Sequence, residues 1–142
     1  MKNYIGTKLV NAEPESREGK EGYKVVYEDG YTSWSPKDVF EKAYLEVTSN
    51  PDRPSKVSID QQMVKDFVAS IESTKIGDKT TIVRATLKNG FEIVETSACV
   101  DKANYDQELG TKICMKRIED KVWELLGFLL QTAYMGVNNL VE

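Results

Sequence analysis

The chain has 142 residues, 40% of them apolar and 30% charged, which is the composition of a globular protein with enough length to bury a core. A formal charge of −4 excludes broad electrostatic capture of a long nucleic acid, which needs a basic field, but leaves a small anionic ligand within reach of a few convergent cations. The absence of histidine excludes Ser-His and Cys-His nucleophile systems and every histidine metal site.

Cys99 and Cys114 are too few for a disulfide framework and lack metal or redox spacing, so a reducing compartment is expected. Met1 leads into Lys2-Asn3-Tyr4 without an apolar leader, and no run is long enough to span a bilayer. These features place the protein in the cytoplasm, with no membrane partner and no cofactor.

In chain order, residues 2–10 (KNYIGTKLV) have the Ile/Leu/Val content of a first strand, and residues 11–21 (NAEPESREGKE) read as a solvated loop. Residues 22–34 form a hairpin turning at Asp29-Gly30. With Glu28 opposite Tyr31, one face carries Tyr23, Val25, Tyr27, Thr32 and Trp34, an aromatic wall suited to a core, an interface or base stacking. Ser35-Pro36 starts a short helix, serine as N-cap and proline at the first position, with Val39, Phe40 and Ala43 on its packing side. The first lobe spans residues 1–48, and the proline-rich 49–57 is a linker to a second lobe, residues 58–142.

The second lobe opens on a capping box from Ser58 to Gln61, followed by Ile59, Met63, Val64, Phe67, Val68 and Ile71 at helical spacing. Residues 75–79, around Gly77-Asp78, turn the chain into a central hairpin. Its turn is Asn89-Gly90, a dipeptide that tolerates the positive φ of a type I′ turn. A two-residue turn sets Thr86 opposite Ile93, Ala85 opposite Val94 and Arg84 opposite Glu95. One face then holds Val83, Ala85, Leu87, Val94 and Thr96, the core side. The other holds Ile82, Arg84, Thr86, Lys88, Phe91, Ile93 and Glu95. That mixed face reads either as a plain exposed surface with an Arg84–Glu95 ion pair or as a place to hold a base and a phosphate.

Asp101 and Asn104 are N-cap candidates for a long helix from about Tyr105 towards Tyr134. Leu109, Ile113, Ile118, Val122, Leu125, Leu126, Leu129, Leu130 and Ala133 lie on one side of it, and Gly110 and Gly127 are positions where it can bend. So long a stripe predicts an oligomer built through this helix, or else a larger intramolecular core. Residues 136–142 form a tail. The fold class that follows is α+β, with antiparallel hairpins packed on helices and the long C-terminal helix at an oligomer interface.

Two chemistries compete. Glu119, Asp120 and Glu124 form a carboxylate cluster that could serve a metal-dependent hydrolase, although helix faces commonly carry such clusters for solvation. Cys99 has no visible base and reads as an inert thiol. A binding site without catalytic groups assembles more readily. Arg84 and Phe91 come from the mixed face and Asn89 from the turn. Asp101, Asn104 and Tyr105 stand at the helix start, and Lys116 and Arg117 follow. No phosphate-loop fingerprint accompanies them.

The stretches YIGTKLVNAEP, GYKVVYEDGYTSWSPKDVFEKAY, LKNGFEIVETSACVDKANYDQELG and KICMKRIEDKVWELLGFLL resemble a family of small accessory proteins of tailed phages. One branch is similar to the Thoeris anti-defence sponges, which sequester cyclic ADP-ribose isomers without cleaving them, and some of which also hold cyclic trinucleotides. The resemblance implies a nonenzymatic nucleotide-binding protein of the infected host's cytoplasm, built as dimers that assemble to hexamers. It places the base-stacking aromatic at Phe91, the polar loop residue near Asp101, where aspartate replaces the more usual asparagine, and the phosphate-contacting arginine near Arg117. A host-takeover protein that binds a bacterial protein through the aromatic wall or the long helix is the alternative, and a nucleotide hydrolase at the carboxylate cluster is the third.

Overall fold

The structure, a computed structural model, describes residues 1–48 and 50–140. Ser49, in the expected linker, and Val141 and Glu142, in the expected tail, lie outside the described residues. Among the described residues the fold is α+β: two antiparallel three-stranded sheets and three α-helices. It divides into two compact units, Met1–Ser58 with Phe128–Glu142, and Ile59–Gly127.

The first unit holds β1 (Asn11–Pro14), β2 (Gly22–Val26), β3 (Thr32–Pro36) and α1 (Lys37–Ala43), with β2 central in its sheet. The first strand is not the apolar 2–10 segment, which carries no regular structure. It is Asn11–Pro14, within the stretch expected to be a loop. All four of its residues are exposed, so β1 is held by pairing with Tyr23–Val26 rather than by side-chain burial, and an edge position tolerates Pro14. Ser35 is still in the sheet opposite Tyr23, and α1 begins one residue later than expected, after Pro36 and without a side-chain cap.

The β2–β3 turn has three residues, Glu28-Asp29-Gly30, rather than two. Tyr27 N–H donates to Tyr31 O and Gly30 N–H to Tyr27 O, both at 2.9 Å, while Gly30 alone takes positive φ (+89°). Asp29 Oδ1 accepts the Tyr31 N–H at 2.9 Å, an Asx turn that fixes this form. The register moves by one residue, setting Lys24 opposite Trp34, and the expected aromatic wall splits. Trp34 leaves it: its indole N–H donates to Glu15 O at 2.7 Å, and its ring lies against Gly22, where a Cβ would sit 2.6 Å from Cε2. Tyr23 instead stacks on Phe40 of α1 (centroids 4.3 Å) and Phe40 on Tyr44 (4.8 Å), with Tyr27 against Tyr31 (5.8 Å).

The second unit runs through α2 (Gln61–Phe67), β4 (Val68–Ile76), β5 (Thr80–Leu87) and β6 (Glu92–Ala98) into α3 (Gln107–Met135), which continues past the unit's end at Gly127. The cap of α2 is Asp60, whose Oδ1 accepts the Met63 N–H at 2.8 Å, not Ser58. The helix ends at Phe67 and the chain passes straight into β4, a nine-residue strand where the helical spacing of Phe67, Val68 and Ile71 predicted more helix.

The Asn89-Gly90 turn repeats the geometry of the first hairpin. Leu87 N–H donates to Phe91 O at 2.8 Å, Gly90 takes φ +88°, and Asn89 Oδ1 accepts the Phe91 N–H at 3.0 Å. The loop therefore has three residues, and Ala85 pairs with Ile93 and Arg84 with Val94. Ile93 turns inward with Thr81, Val83, Ala85 and Leu87, while Val94 turns outward, the reverse of the expected placement.

α3 crosses the inner face. Within this unit Gly110, Cys114, Ile118, Val122 and Leu126 are its buried positions, every fourth residue, while Leu109, Ile113 and Leu125 from the expected stripe are exposed. Gly110 lies so close to Thr81 that a Cβ there would overlap Thr81 Oγ1. The same helix makes a side-chain hydrogen bond to each edge strand. Gln107 Nε2 donates to Ser73 O on β4 at 3.2 Å, and Arg117 Nη1 donates to Thr96 O on β6 at 2.7 Å.

Candidate functional site

The structure separates the eight sequence-derived candidates into three groups. At the turn end of the β5–β6 hairpin stand Asn89 and Phe91. Asn89 is committed to its own turn, where it holds the backbone N–H of Phe91, a residue that is 55% exposed. The register puts Phe91 in phase with Ile93, so it does not share a face with Arg84 as the two-residue turn implied.

Arg84 forms the second group, on the outer face of the sheet. Its partners are Glu72 on β4 at 3.0 Å and Glu92 on β6 at 3.6 Å, which corrects the expected Arg84–Glu95 pair. Glu95 is on the inner side and pairs with Lys121 at 2.7 Å. With two carboxylates already on it, Arg84 is not a ready phosphate donor.

The third group lies towards the other end of β6: Arg117 is bonded to Thr96, five residues and about 17 Å from Phe91 at the usual strand rise, and the others lie beyond Ala98, seven residues and about 23 Å away. Asp101 caps a single 3₁₀ turn, Lys102–Asn104, by accepting the Ala103 N–H at 2.9 Å. Asn104 is in that turn and does not cap α3; Asp106 does, accepting the Leu109 N–H at 3.2 Å. Tyr105 bonds the buried Thr81 hydroxyl at 2.9 Å, and Lys75 Nζ sits 4.6 Å from its ring centroid. Lys79 Nζ donates to Val100 O at 3.4 Å. Arg117, nearly three turns along α3, reaches Thr96 O, and Lys116 beside it is exposed.

This end thus collects Asp101, Asn104, Tyr105 and Arg117 with two cations that sequence reasoning missed, Lys75 and Lys79. Lys75 could have been found only by recognising β4, on which it stands opposite Thr81. An aromatic ring, an amide, a carboxylate and several ammonium and guanidinium groups are a set able to orient a small polar anion.

The other chemistries fare as follows. Among the described residues, no three His, Cys, Asp or Glu side chains are grouped so as to hold a metal ion, and Glu119, Asp120 and Glu124 do not converge. Cys114 is fully buried, and burial pushes its thiol up from the ordinary value, away from thiolate reactivity. Among the described residues, no helix is long and apolar enough to cross a membrane. In the first unit Tyr23, Phe40 and Tyr44 stack on one another. Burial and the neighbouring Tyr27 raise the Tyr44 phenol, and Tyr23 donates to Glu41 at 3.0 Å.

No curated protein and no solved structure matches the chain. A family model does: residues 55–134, more than half of the length and inclusive of all eight candidates, match the Phage protein (N4 Gp49/phage Sf6 gene 66) family, and the chain belongs to that family.

Proposed function

We propose that this phage-family protein sequesters a small immune signalling nucleotide, a cyclic ADP-ribose isomer, in the cytoplasm of the infected host, and releases it unchanged. The observation that carries the reading is Phe91, an aromatic ring held out from the core on a turn fixed by its own Asx bond, which is how a stacking platform is preorganised. Arg117, Asp101 and the lysines at the far end of β6 supply the anion-binding complement. Because one cyclic nucleotide does not bridge the length of β6, the pocket joins Phe91 of one copy to the Arg117 end of another, within a homodimer that assembles further.

The test is calorimetric titration with cyclic ADP-ribose isomers and with cyclic trinucleotides, followed by heat release and chromatography of the ligand. Tight binding with intact recovery supports the sponge. Turnover would replace it with a hydrolase, and no binding to any nucleotide would replace it with the second reading, a protein that captures a host protein. That second reading draws on the exposed apolar residues of α3, Phe128 (73% exposed) foremost.

A further inference from the structure

Several cations of the chain are answered by carboxylates: Arg17 by Glu15, Lys37 by Glu21, Arg84 by Glu72 and Glu92, Lys112 by Glu108 and Lys121 by Glu95. Lys75 and Lys79, both exposed in the second unit, are held by neutral groups instead. Lys75 Nζ stands 4.6 Å from the Tyr105 ring centroid, and Lys79 Nζ donates to Val100 O at 3.4 Å. An ammonium on a ring face keeps its three N–H donors for another acceptor, and one bound to a single carbonyl keeps two.

The two lysines flank one turn, Lys75 on β4 and Lys79 immediately before β5, and both reach the connection from β6 to α3. That connection is tied to the turn by the Cys99 N–H, which donates to Lys79 O at 3.0 Å. Tyr105 is tied to the core: its hydroxyl is bonded at 2.9 Å to Thr81, which is 1% exposed and pairs with Lys75 across the ladder. So the ring is anchored from beneath, and the ammonium is anchored on the ring. The carboxylates nearby leave the charge standing. Asp101 and Asp106 accept the Ala103 and Leu109 N–H groups, and Asp78, exposed in the turn, pairs with neither lysine.

We infer that this end of the second unit is a diphosphate site, in which Lys75 and Lys79 each donate to one phosphoryl group and Tyr105 is the positioning residue for Lys75. An ammonium is a point charge without the planar fork of a guanidinium, so selection here comes from two charges set apart on one turn, which suits two linked phosphoryl groups. The inference rests on the proposed function only for the source of the diphosphate, which a cyclic ADP-ribose isomer carries; inorganic pyrophosphate presents the same chemistry.

The test is titration of the isotope-labelled protein with inorganic pyrophosphate, and with sulfate at matched ionic strength, followed by backbone amide resonances and run without nucleotide. Pyrophosphate should bind at least tenfold more tightly than sulfate and shift residues 75–81 and 99–105. Lys75→Gln and Lys79→Gln should each weaken it at least tenfold, while Lys65→Gln on α2 leaves it unchanged. Tyr105→Leu should match the loss of Lys75→Gln and add nothing to it in the double variant, because the ring acts through that ammonium. Pyrophosphate held no better than sulfate, or lysine variants of unchanged affinity, would overturn the site, and an additive loss in the double variant would overturn the role of Tyr105. Pyrophosphate binding without nucleotide binding would overturn the proposed function and support this site. Cyclic ADP-ribose isomers bound undiminished by chains carrying both Lys75→Gln and Lys79→Gln would do the reverse.

Discussion

Two glycines in α3 give substitutions of opposite sign, and the difference rests on one buried hydroxyl. At Gly110 an added Cβ would overlap Thr81 Oγ1 and lie 2.9 Å from Thr81 Cβ. Thr81 is 1% exposed on the central strand, and its hydroxyl is bonded to Tyr105 at 2.9 Å, so it cannot rotate away without losing that bond. Overpacking of this kind costs about 1–3 kcal/mol, and the lost hydrogen bond about 1 kcal/mol more. Alanine returns about 1 kcal/mol through its helix propensity. Gly110→Ala should therefore destabilise the protein by about 2 kcal/mol, lowering the urea midpoint by about 1 M for an ordinary denaturant slope. Gly127 has nothing within 4 Å of its added Cβ, so Gly127→Ala should stabilise by about 0.5–1 kcal/mol. Parallel urea titrations of the two variants decide it. If Gly110→Ala were as stable as the wild type, the close approach of α3 to β5 at Thr81 would be refuted, and with it the placement of Tyr105.

Phe91→Ala should abolish nucleotide binding in calorimetry while changing stability by less than about 0.5 kcal/mol, since its ring is outside the core; unchanged affinity would put the pocket elsewhere. Phe91→Ala and Arg117→Ala chains, each defective alone, should recover part of the binding when mixed and reassembled, because some pockets then combine two intact halves; no recovery would place the pocket within one copy. Gly90→Ala forces a side chain into φ +88° with free space around it, so the cost is backbone strain alone, about 1–2 kcal/mol, read as a lower urea midpoint. A thiol reagent at pH 8 should modify only Cys99 in the folded protein and both cysteines in denaturant. Because the Cys114 thiol is raised when folded and is neutral when protonated, its contribution to stability is complete below its unfolded value near 9.0 and is lost as pH rises through the folded one; Cys114→Ala should flatten that alkaline loss.

The sequence located both hairpin turns and the long helix, because Asp-Gly, Asn-Gly and a sustained apolar period are local signals. It did not fix the register. The same dipeptides serve a two-residue turn with positive φ at both positions and a three-residue turn with positive φ at glycine alone, and the choice here follows from Asp29 and Asn89 bonding the N–H two residues on. One residue of slip was enough to exchange Ile93 with Val94 in the core and to part Phe91 from Arg84. β1 left no trace because its four residues are all exposed, and β4 was hidden because Val64, Phe67 and Val68 keep helical spacing across the point where helix becomes strand. On α3 the apolar residues alone suggested one broad stripe. Gly110 and Cys114 complete the buried ridge, and Leu109, Ile113 and Leu125 stand apart from it, exposed.

That separation bears on where function resides. The family match covers residues 55–134 and so contains α2, the second sheet and most of α3, whereas the first sheet and its stacked aromatics lie outside it. A base needs a free ring face. In the first unit, Tyr23, Phe40 and Tyr44 form a continuous stack whose inner faces are occupied, and Trp34 is tied to Glu15 and Gly22, so these rings do the packing of a small sheet. Phe91 is an exposed aromatic of the second unit, and its backbone N–H is held by Asn89. The cations that could complement it stand at the opposite end of β6, and the inward exit of Arg117 towards the strand edge leaves them there. On the proposed reading an isolated copy holds two half-sites, and assembly of copies would bring an aromatic platform and an anion-binding end to one ligand. If calorimetry bears the proposal out, oligomerisation would then be part of the binding site rather than a way of stabilising the fold.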